Sequence, residues 1–359
     1  MTATNMYFEL KSRHTLQELA GKLNLHAGTL KRWENLGKIP QDYIYDLNFL
    51  LGNKYIIPKK DYRSHSEFFT KKEVAKYCFK IFLEFLENHK VNSKKYTFIE
   101  PSCGDCSFYN LLPKDRRIGI DLEFKSAEII ESNFLDFIPT KGHYMVVGNP
   151  PFGLRGNLAL RFINHAQFAD FIAFILPPLF CSDGKGSPKG RVRNFQLAHS
   201  EKLPLNSFIY PNGKEVEVAT LFQIWVNHRL LDSIHFNKES KKTCKEYIKV
   251  YSLSDGGTPS STRNKKMLYI CDAYLPSTCF HTESRPQMRL YNDFETLPNR
   301  RGYGIKILKD SASVMEALRS IDWVGASFLG TNSSLNLRTS LIEEALIQKG
   351  FFDKDKEIK

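Results

Sequence analysis

The run Asn149-Pro150-Pro151-Phe152 is where residue types and their order in this 359-residue chain can do chemistry. It follows Tyr144–Gly148 (YMVVG), an apolar run that reads as a strand. Two successive prolines cannot continue a strand ladder, so the chain must leave the sheet there. Asn149 is then left at the rim with its side-chain oxygen available, next to the Pro150 carbonyl. An aromatic amine is a poor nucleophile because its lone pair is delocalised into the ring. Two oxygens that accept both of its hydrogens would hold the nitrogen in line with an electrophile. They would also stabilise the positive charge that develops on it. Phe152 would stack on the ring face, a contact of about 1–3 kcal/mol per base.

A second group lies in Phe98–Phe108 (FIEPSCGDCSF), where a strand ends at an acid and enters a turn of small residues. Gly104 lets the backbone approach a ligand closely, and Glu100, Pro101 and Ser102 line the same turn. A helix is expected to start near Phe108. The turn is not a phosphate loop: it has no Gly-Lys-Ser/Thr ending, and Glu100 and Asp105 would repel phosphate. Two acids suit a cation, such as a sulfonium carrying an ammonium group. Asp121 follows at the next strand end, at the roughly 20-residue distance where an acid commonly binds ribose hydroxyls. Asp136, in Asn133-Phe134-Leu135-Asp136, is placed to accept from an adenine amine, with Phe134 against the ring. The pair Cys103-x-x-Cys106 has no second pair at similar spacing, so no metal site is expected.

These residues need a sheet to hold them. Tyr96–Glu100, Arg117–Asp121, Tyr144–Gly148 and Phe171–Pro177 are short apolar runs alternating with helical or loop segments, the pattern of a parallel α/β sheet. Thr220–Val226 reads as a late strand, and Val74, Cys78, Ile81, Phe82 and Phe85 mark one face of a helix after Phe68. Upstream, His14–Pro40 reads as two short helices joined by a tight turn, with Thr15 and Thr29 as caps. As a helix-turn-helix it would present Lys31 and Arg32 to DNA; as a plain packing unit it would not. Ser182–Lys202 is rich in Gly and Ser and carries Lys189, Arg191 and Arg193. It reads as a mobile loop able to close on a phosphate backbone. Gly52–Ser64 reads as a linker and Lys238–Met267 as a boundary. The expected units are therefore 1–55, 60–230 and 235–359, the last with helices at Ser313–Leu318 and Ser340–Lys349 and a charged tail.

The formal net charge of +12 favours an anionic partner, and nucleic acid is the usual one. The seven cysteines are odd in number and scattered, and Met1–Leu10 has neither a basic start nor an apolar run. No stretch approaches the roughly 20 apolar residues of a membrane span. The expectation is a cytoplasmic protein with free thiols and no membrane partner.

From about Ser64 to His228 the chain resembles the gamma-type DNA adenine-N6 methyltransferases of bacterial restriction–modification systems. The resemblance rests on Ser66-Glu67-Phe68-Phe69-Thr70, then Glu100–Phe108, Asp121, Asp136 and Asn149–Phe152, in that order. It implies a Rossmann-like class I α/β fold: a mostly parallel seven-stranded sheet with the last strand antiparallel, and a target-recognition region C-terminal to it. It also implies S-adenosylmethionine as cofactor, contacted by Phe69 and Thr70 as well as by Glu100, Pro101, Ser102, Gly104, Asp121, Asp136 and Asn149. Double-stranded DNA is the implied partner, with a cognate restriction endonuclease beside it, and the target adenine would be flipped from the duplex. Tyr210, in Phe208-Ile209-Tyr210-Pro211, falls where the family places an aromatic wall of the base pocket. One departure is Cys106, where the family has a second glycine. The same Asn-Pro-Pro-Phe run also resembles RNA adenine-N6 and guanine-N2 methyltransferases and protein-glutamine methyltransferases. A DNA-binding regulator with an inactive sheet is a further alternative.

Overall fold

The computed structural model describes residues 2–52, 68–153, 156–182, 187–234, 242–253, 268–280, 287–294, 297, 301–329 and 334–353. The expected linker beyond Gly52, most of the expected boundary, the charged tail beyond Asp353, and Ser66 and Glu67 lie outside them. The chain forms two compact units, Met1–Asn237 and Lys238–Lys359.

The first unit opens with α1 (Ala3–Arg13), α2 (Leu16–Lys22), α3 (Ala27–Asn35) and α4 (Ile44–Leu50), packed around Tyr7, Leu10, Leu19, Leu30, Trp33 and Leu47. Thr15 begins α2 with a reciprocal cap: its Oγ1 accepts from the Glu18 amide (3.3 Å) and Glu18 Oε2 accepts from the Thr15 amide (2.8 Å). Thr29 is not a cap. α3 begins earlier, after His26, which makes no side-chain cap.

Then follow β1 (Phe69–Thr70), α5 (Lys72–Asn88), β2 (Thr97–Glu100), β3 (Arg117–Asp121), β4 (Ile129–Glu131), β5 (Tyr144–Gly148), α6 (Asn157–His165), β6 (Phe171–Leu176), β7 (Phe195–Lys202), β8 (Phe208–Ile209), β9 (Glu215–Val216) and β10 (Leu221–Asn227). Seven of these strands form one sheet in the order β4-β3-β2-β5-β6-β10-β7. All its neighbours run parallel except β10, which is antiparallel to both β6 and β7. Period-two alternation builds the two faces. Phe98, Met145, Val147, Ala173 and Ile224 face α5, while Ile99, Val146, Ile172, Phe174 and Trp225 face α6. Both faces are covered, which explains why β5 and β6 are apolar without interruption. β1, β8 and β9 form a small separate antiparallel sheet.

Two expectations fail here. Between β2 and β3 there is no α-helix near Phe108, only the 3-10 turns Tyr109–Leu111 and Lys114–Arg116. Pro113 stops further winding, because a proline removes a donor and clashes with the preceding turn. Residues 195–202 of the supposed mobile loop form strand β7, paired along its length with β10.

The second unit contains β11 (Ile248–Leu253), β12 (Ala273–Pro276), β13 (Thr278–Phe280), β14 (Gly302–Ile307), α7 (Ser311–Ser320), α8 (Trp323–Ala326), β15 (Phe328–Leu329), β16 (Ser334–Asn336) and α9 (Thr339–Gln348). Its sheets are the antiparallel triplets β11-β14-β12 and β13-β16-β15, over a core that includes Ile305, Leu318, Leu337 and Leu346. Among the described residues no helix is long and apolar enough to cross a membrane.

Candidate active site

The chain runs β2, β3, β4 outward to one side and then returns to place β5 on the other side of β2. Ligands of open parallel sheets bind at the carboxyl ends of strands where the order reverses in this way. Here those ends carry Glu100 and, one residue past Gly148, Asn149. The two strand ends touch: a side chain at Gly148 would meet Glu100 Cγ at 3.3 Å and Pro101 Cδ at 3.5 Å. Gly148 has φ +152, a conformation that favours glycine, and an added side chain would also crowd Glu100.

Three buried oxygens on β1 and at the ends of β2 and β5 have no hydrogen-bond partner among the described residues: Thr70 Oγ1, Glu100 Oε2 and Asn149 Oδ1. Buried polar atoms are nearly always paired, because leaving one unpaired costs about 1–3 kcal/mol. Unpartnered buried oxygens on the elements that meet at this strand edge are acceptors available to a ligand's donors. Glu100 is only 2% exposed, and its carboxyl is pushed well above the usual carboxylate range. Burial is the main cause, and the charges of Asp105 and Asp121 act in the same direction. A cation would relieve the buried Glu100 carboxyl, and any N–H donor would satisfy Thr70 Oγ1 and Asn149 Oδ1.

The glycine turn is held in place by its neighbours. Gly104 adopts φ +51 and donates its amide to Asp121 Oδ2 at 2.8 Å. The other Asp121 oxygen accepts from the Glu123 amide at 3.0 Å. A Cβ at Gly104 would lie 3.2 Å from the Phe69 ring, so β1 packs directly on the turn. Ser107 Oγ donates to the Thr70 carbonyl (2.9 Å) and to Asp105 Oδ2 (2.7 Å), tying the turn to β1. Cys106 adopts φ +65, the left-handed conformation in which glycine is relaxed. The glycine-type backbone thus persists although the side chain has changed. Burial pushes both the Cys103 and Cys106 thiols up, which makes them poor nucleophiles.

Phe152 is half-buried, with its ring 5.8 Å from that of Phe68, and Phe68 lies 4.9 Å from Phe208. β1 pairs with β8, Phe69 opposite Ile209, so the segment ending at Tyr210 joins this aromatic group. Tyr210 is half-buried in a turn closed by Lys214 and Gly213. The Phe152 carbonyl accepts from the Leu158 and Ala159 amides, so the Pro-Pro-Phe segment leads straight into α6. Pro150 is buried and Pro151 half-buried beside it.

Other expected residues are placed differently. Asp136 is exposed at the end of a 3-10 turn, where Asn133 Nδ2 donates to its Oδ2 at 3.2 Å. Phe134 does not offer a ring face: it is 1% exposed and packs on Phe162 and His165 in the core. Ser102 is half-buried in the turn. Lys31 and Arg32 are exposed on α3. Arg191 is not presented to solvent. Its guanidinium is buried, donates to Asp46 of α4, and lies 4.5 Å over the Tyr43 ring. It is therefore withdrawn from the set of phosphate contacts, because an arginine in an internal ion pair has no charge to spare for DNA. Arg193 also lies within 4.0 Å of Asp46, and Lys189 is half-buried. Asp46 and Phe68 were not singled out from the sequence. An aromatic beside Phe69 was a usable signal for Phe68, but nothing local marks Asp46.

The strand order and the antiparallel β10 define a Rossmann-like class I methyltransferase fold. No family model and no curated protein matches the chain. Among solved structures, the M protein of the type I restriction enzyme EcoKI aligns over 89% of this chain and 80% of its own, at 14% identity and a TM-score of 0.34. A SAM-dependent methyltransferase from Anabaena variabilis aligns over 47% of this chain and 90% of its own, at 11% identity and a TM-score of 0.32. The 23S rRNA methyltransferase ErmE aligns over 48% of this chain and 81% of its own, at 12% identity and a TM-score of 0.30. Likenesses this distant carry no weight for chemistry or substrate, and the fold assignment rests on strand order and register.

Proposed function

We propose that this chain is a methyltransferase that uses S-adenosylmethionine to methylate the exocyclic N6 amine of adenine in double-stranded DNA. The observation that carries the reading is the Asn149 oxygen, buried without a partner at the carboxyl end of β5, beside the buried acid Glu100. The residues present fit the cofactor. Glu100 and Thr70 offer unpartnered oxygens to an ammonium group, Gly104 gives close backbone approach, and Asp121 and the exposed Asp136 supply acceptors for ribose and adenine. When bound, S-adenosylmethionine supplies an electrophilic sulfonium methyl.

The chain's own part is positioning and electrostatics. Asn149 Oδ1 and the Pro150 carbonyl accept the two N6 hydrogens and hold the nitrogen lone pair toward the donor. The same oxygens stabilise charge as it grows on nitrogen. Phe152 stacks on the base, and Tyr210 closes the other side of the pocket. Bringing adenine out of the duplex costs a few kcal/mol of stacking and pairing, which this pocket offsets. Exposed Lys31 and Arg32, with the net charge of +12, attract the phosphate backbone, and the second unit reads the target sequence. Half-buried Lys189 and Arg193 would add to that attraction. The setting is a restriction–modification system, with a cognate endonuclease as partner.

The test is methyl transfer from labelled S-adenosylmethionine to duplex DNA, ribosomal RNA and a protein release factor side by side, followed by nucleoside analysis. N6-methyladenine formed in DNA supports the reading. Label in RNA or protein alone overturns it.

A further inference from the structure

The segment between β6 and β7 is fastened through the Arg191 side chain and the backbone on either side of it. Arg191 donates through Nη2 to Asp46 on α4, and the same nitrogen lies 3.4 Å from Asn157 Oδ1, the first residue of α6. Both charged side chains are nearly inaccessible, Arg191 at 6% and Asp46 at 3% exposure. The guanidinium also packs on Tyr43 at 4.5 Å. Around it, Asn164 of α6 donates to the Arg191 carbonyl at 3.1 Å and accepts from the Arg193 amide at 2.9 Å. Asn24, in the turn between α2 and α3, donates to the Gly190 carbonyl. Gly156, just before α6, has φ +73 and is packed by Pro177, Phe180 and Pro188 of the same segment.

α6 is also the helix whose first turn is closed by the Phe152 carbonyl. Its N-terminus is thus shared by two things: the Pro-Pro-Phe segment, and an arginine pinned by the N-terminal helices. A buried charge pair makes this junction all-or-none. Removing either partner leaves a charge buried and uncompensated, so the arrangement resists partial loosening.

We propose that Arg191 is a positioning residue through which the N-terminal helices set the start of α6, and with it the placement of Asn149–Phe152. The N-terminal unit is then a structural part of the active site and not a detachable reader of DNA. The junction itself is independent of the function proposed above; its consequence for methyl transfer rests on that reading.

The test compares the full chain with Asp46→Asn, Asp46→Glu and Arg191→Lys. Amide hydrogen exchange is followed at Leu158 and Ala159, which donate to Phe152, and at Val146 and Ile172 in the sheet. Asp46→Asn is expected to raise exchange at Leu158 and Ala159 by about tenfold or more while sheet amides stay protected. In the same variant kcat falls about tenfold, cofactor Kd stays within about threefold, and Asp46→Glu recovers most of the loss. Arg191→Lys, which keeps the charge but not the forked reach, gives the same local pattern if Asp46→Asn fails to fold. Unchanged exchange at Leu158 and Ala159, or equal acceleration at every amide, overturns the proposal. Local exchange changes in the variants, together with a wild-type chain that methylates nothing, keep the junction and remove the function.

Discussion

Gly148 lies against Glu100: a side chain at 148 would stand 3.3 Å from Glu100 Cγ and 3.6 Å from Oε1. The strand end that carries Asn149 is therefore in contact with the strand end that carries the buried acid, at a backbone conformation that favours glycine. Gly148→Ala should lower stability by about 1–3 kcal/mol, since φ +152 favours glycine. The added methyl should also displace Glu100 and weaken cofactor binding. Thermal unfolding and calorimetric titration check both effects; an unaffected melting temperature would show that the strand ends are not so close.

The raised pKa of Glu100 has a sign that can be measured. Its folded value stands above the ordinary 4.5, so the folded chain holds a proton that the unfolded chain releases. Stability of the ligand-free protein should then fall as pH rises from about 4.5 toward the folded value. Glu100→Gln should remove that slope, melt higher than wild type near neutral pH, and lose cofactor binding. Binding of the cationic cofactor to wild type should release protons, so affinity weakens as the medium is acidified. A pH-independent difference between the two proteins would contradict the burial argument.

Asp121 fixes the glycine turn through its 2.8 Å bond from the Gly104 amide. Asp121→Ala should weaken cofactor binding by roughly 10–100-fold, the equivalent of about 1.5–3 kcal/mol for losing hydrogen bonds to a charged group. Unchanged affinity by calorimetry would remove Asp121 from the site.

Cys106 holds a glycine conformation with a side chain attached, at φ +65. Cys106→Val should destabilise by about 1–3 kcal/mol, because a β-branched residue is a genuine outlier there. Cys106→Gly should stay within about 1 kcal/mol of wild type, as relief of strain is offset by a more flexible unfolded chain. Chemical denaturation of the three proteins gives the ordering; equal stability of the valine and glycine variants would argue against strain.

What could be read from the sequence is what local patterning controls. β2, β3, β5, β6 and β10 are legible as apolar runs, β2 and β3 ending in an acid and β6 running into a proline. Asn149, Glu100 and Gly104 could be placed because a residue at a strand's end is positioned by the strand. β7 was hidden because Gly and Ser precede it and its face is only half covered, which blurs the alternation of Phe195 and Leu197 with Gln196 and Ala198. The helix expected near Phe108 gave way to Pro113 and to the bonds that fold Ser107 back on Asp105 and Thr70. Arg191 was misread for a different reason. Its partner Asp46 is 145 positions away, and no periodicity or motif reports a contact of that range. Phe134 likewise looked like a ligand contact until the helix that buries it was in place.

The most direct measurement is the rate of N6-methyladenine formation in duplex DNA by the wild-type chain and Asn149→Ala, with cofactor affinity measured on both. The account predicts a loss of about 10²–10³-fold or more in rate on removing one such oxygen, with cofactor binding largely retained. Full activity in Asn149→Ala would contradict it.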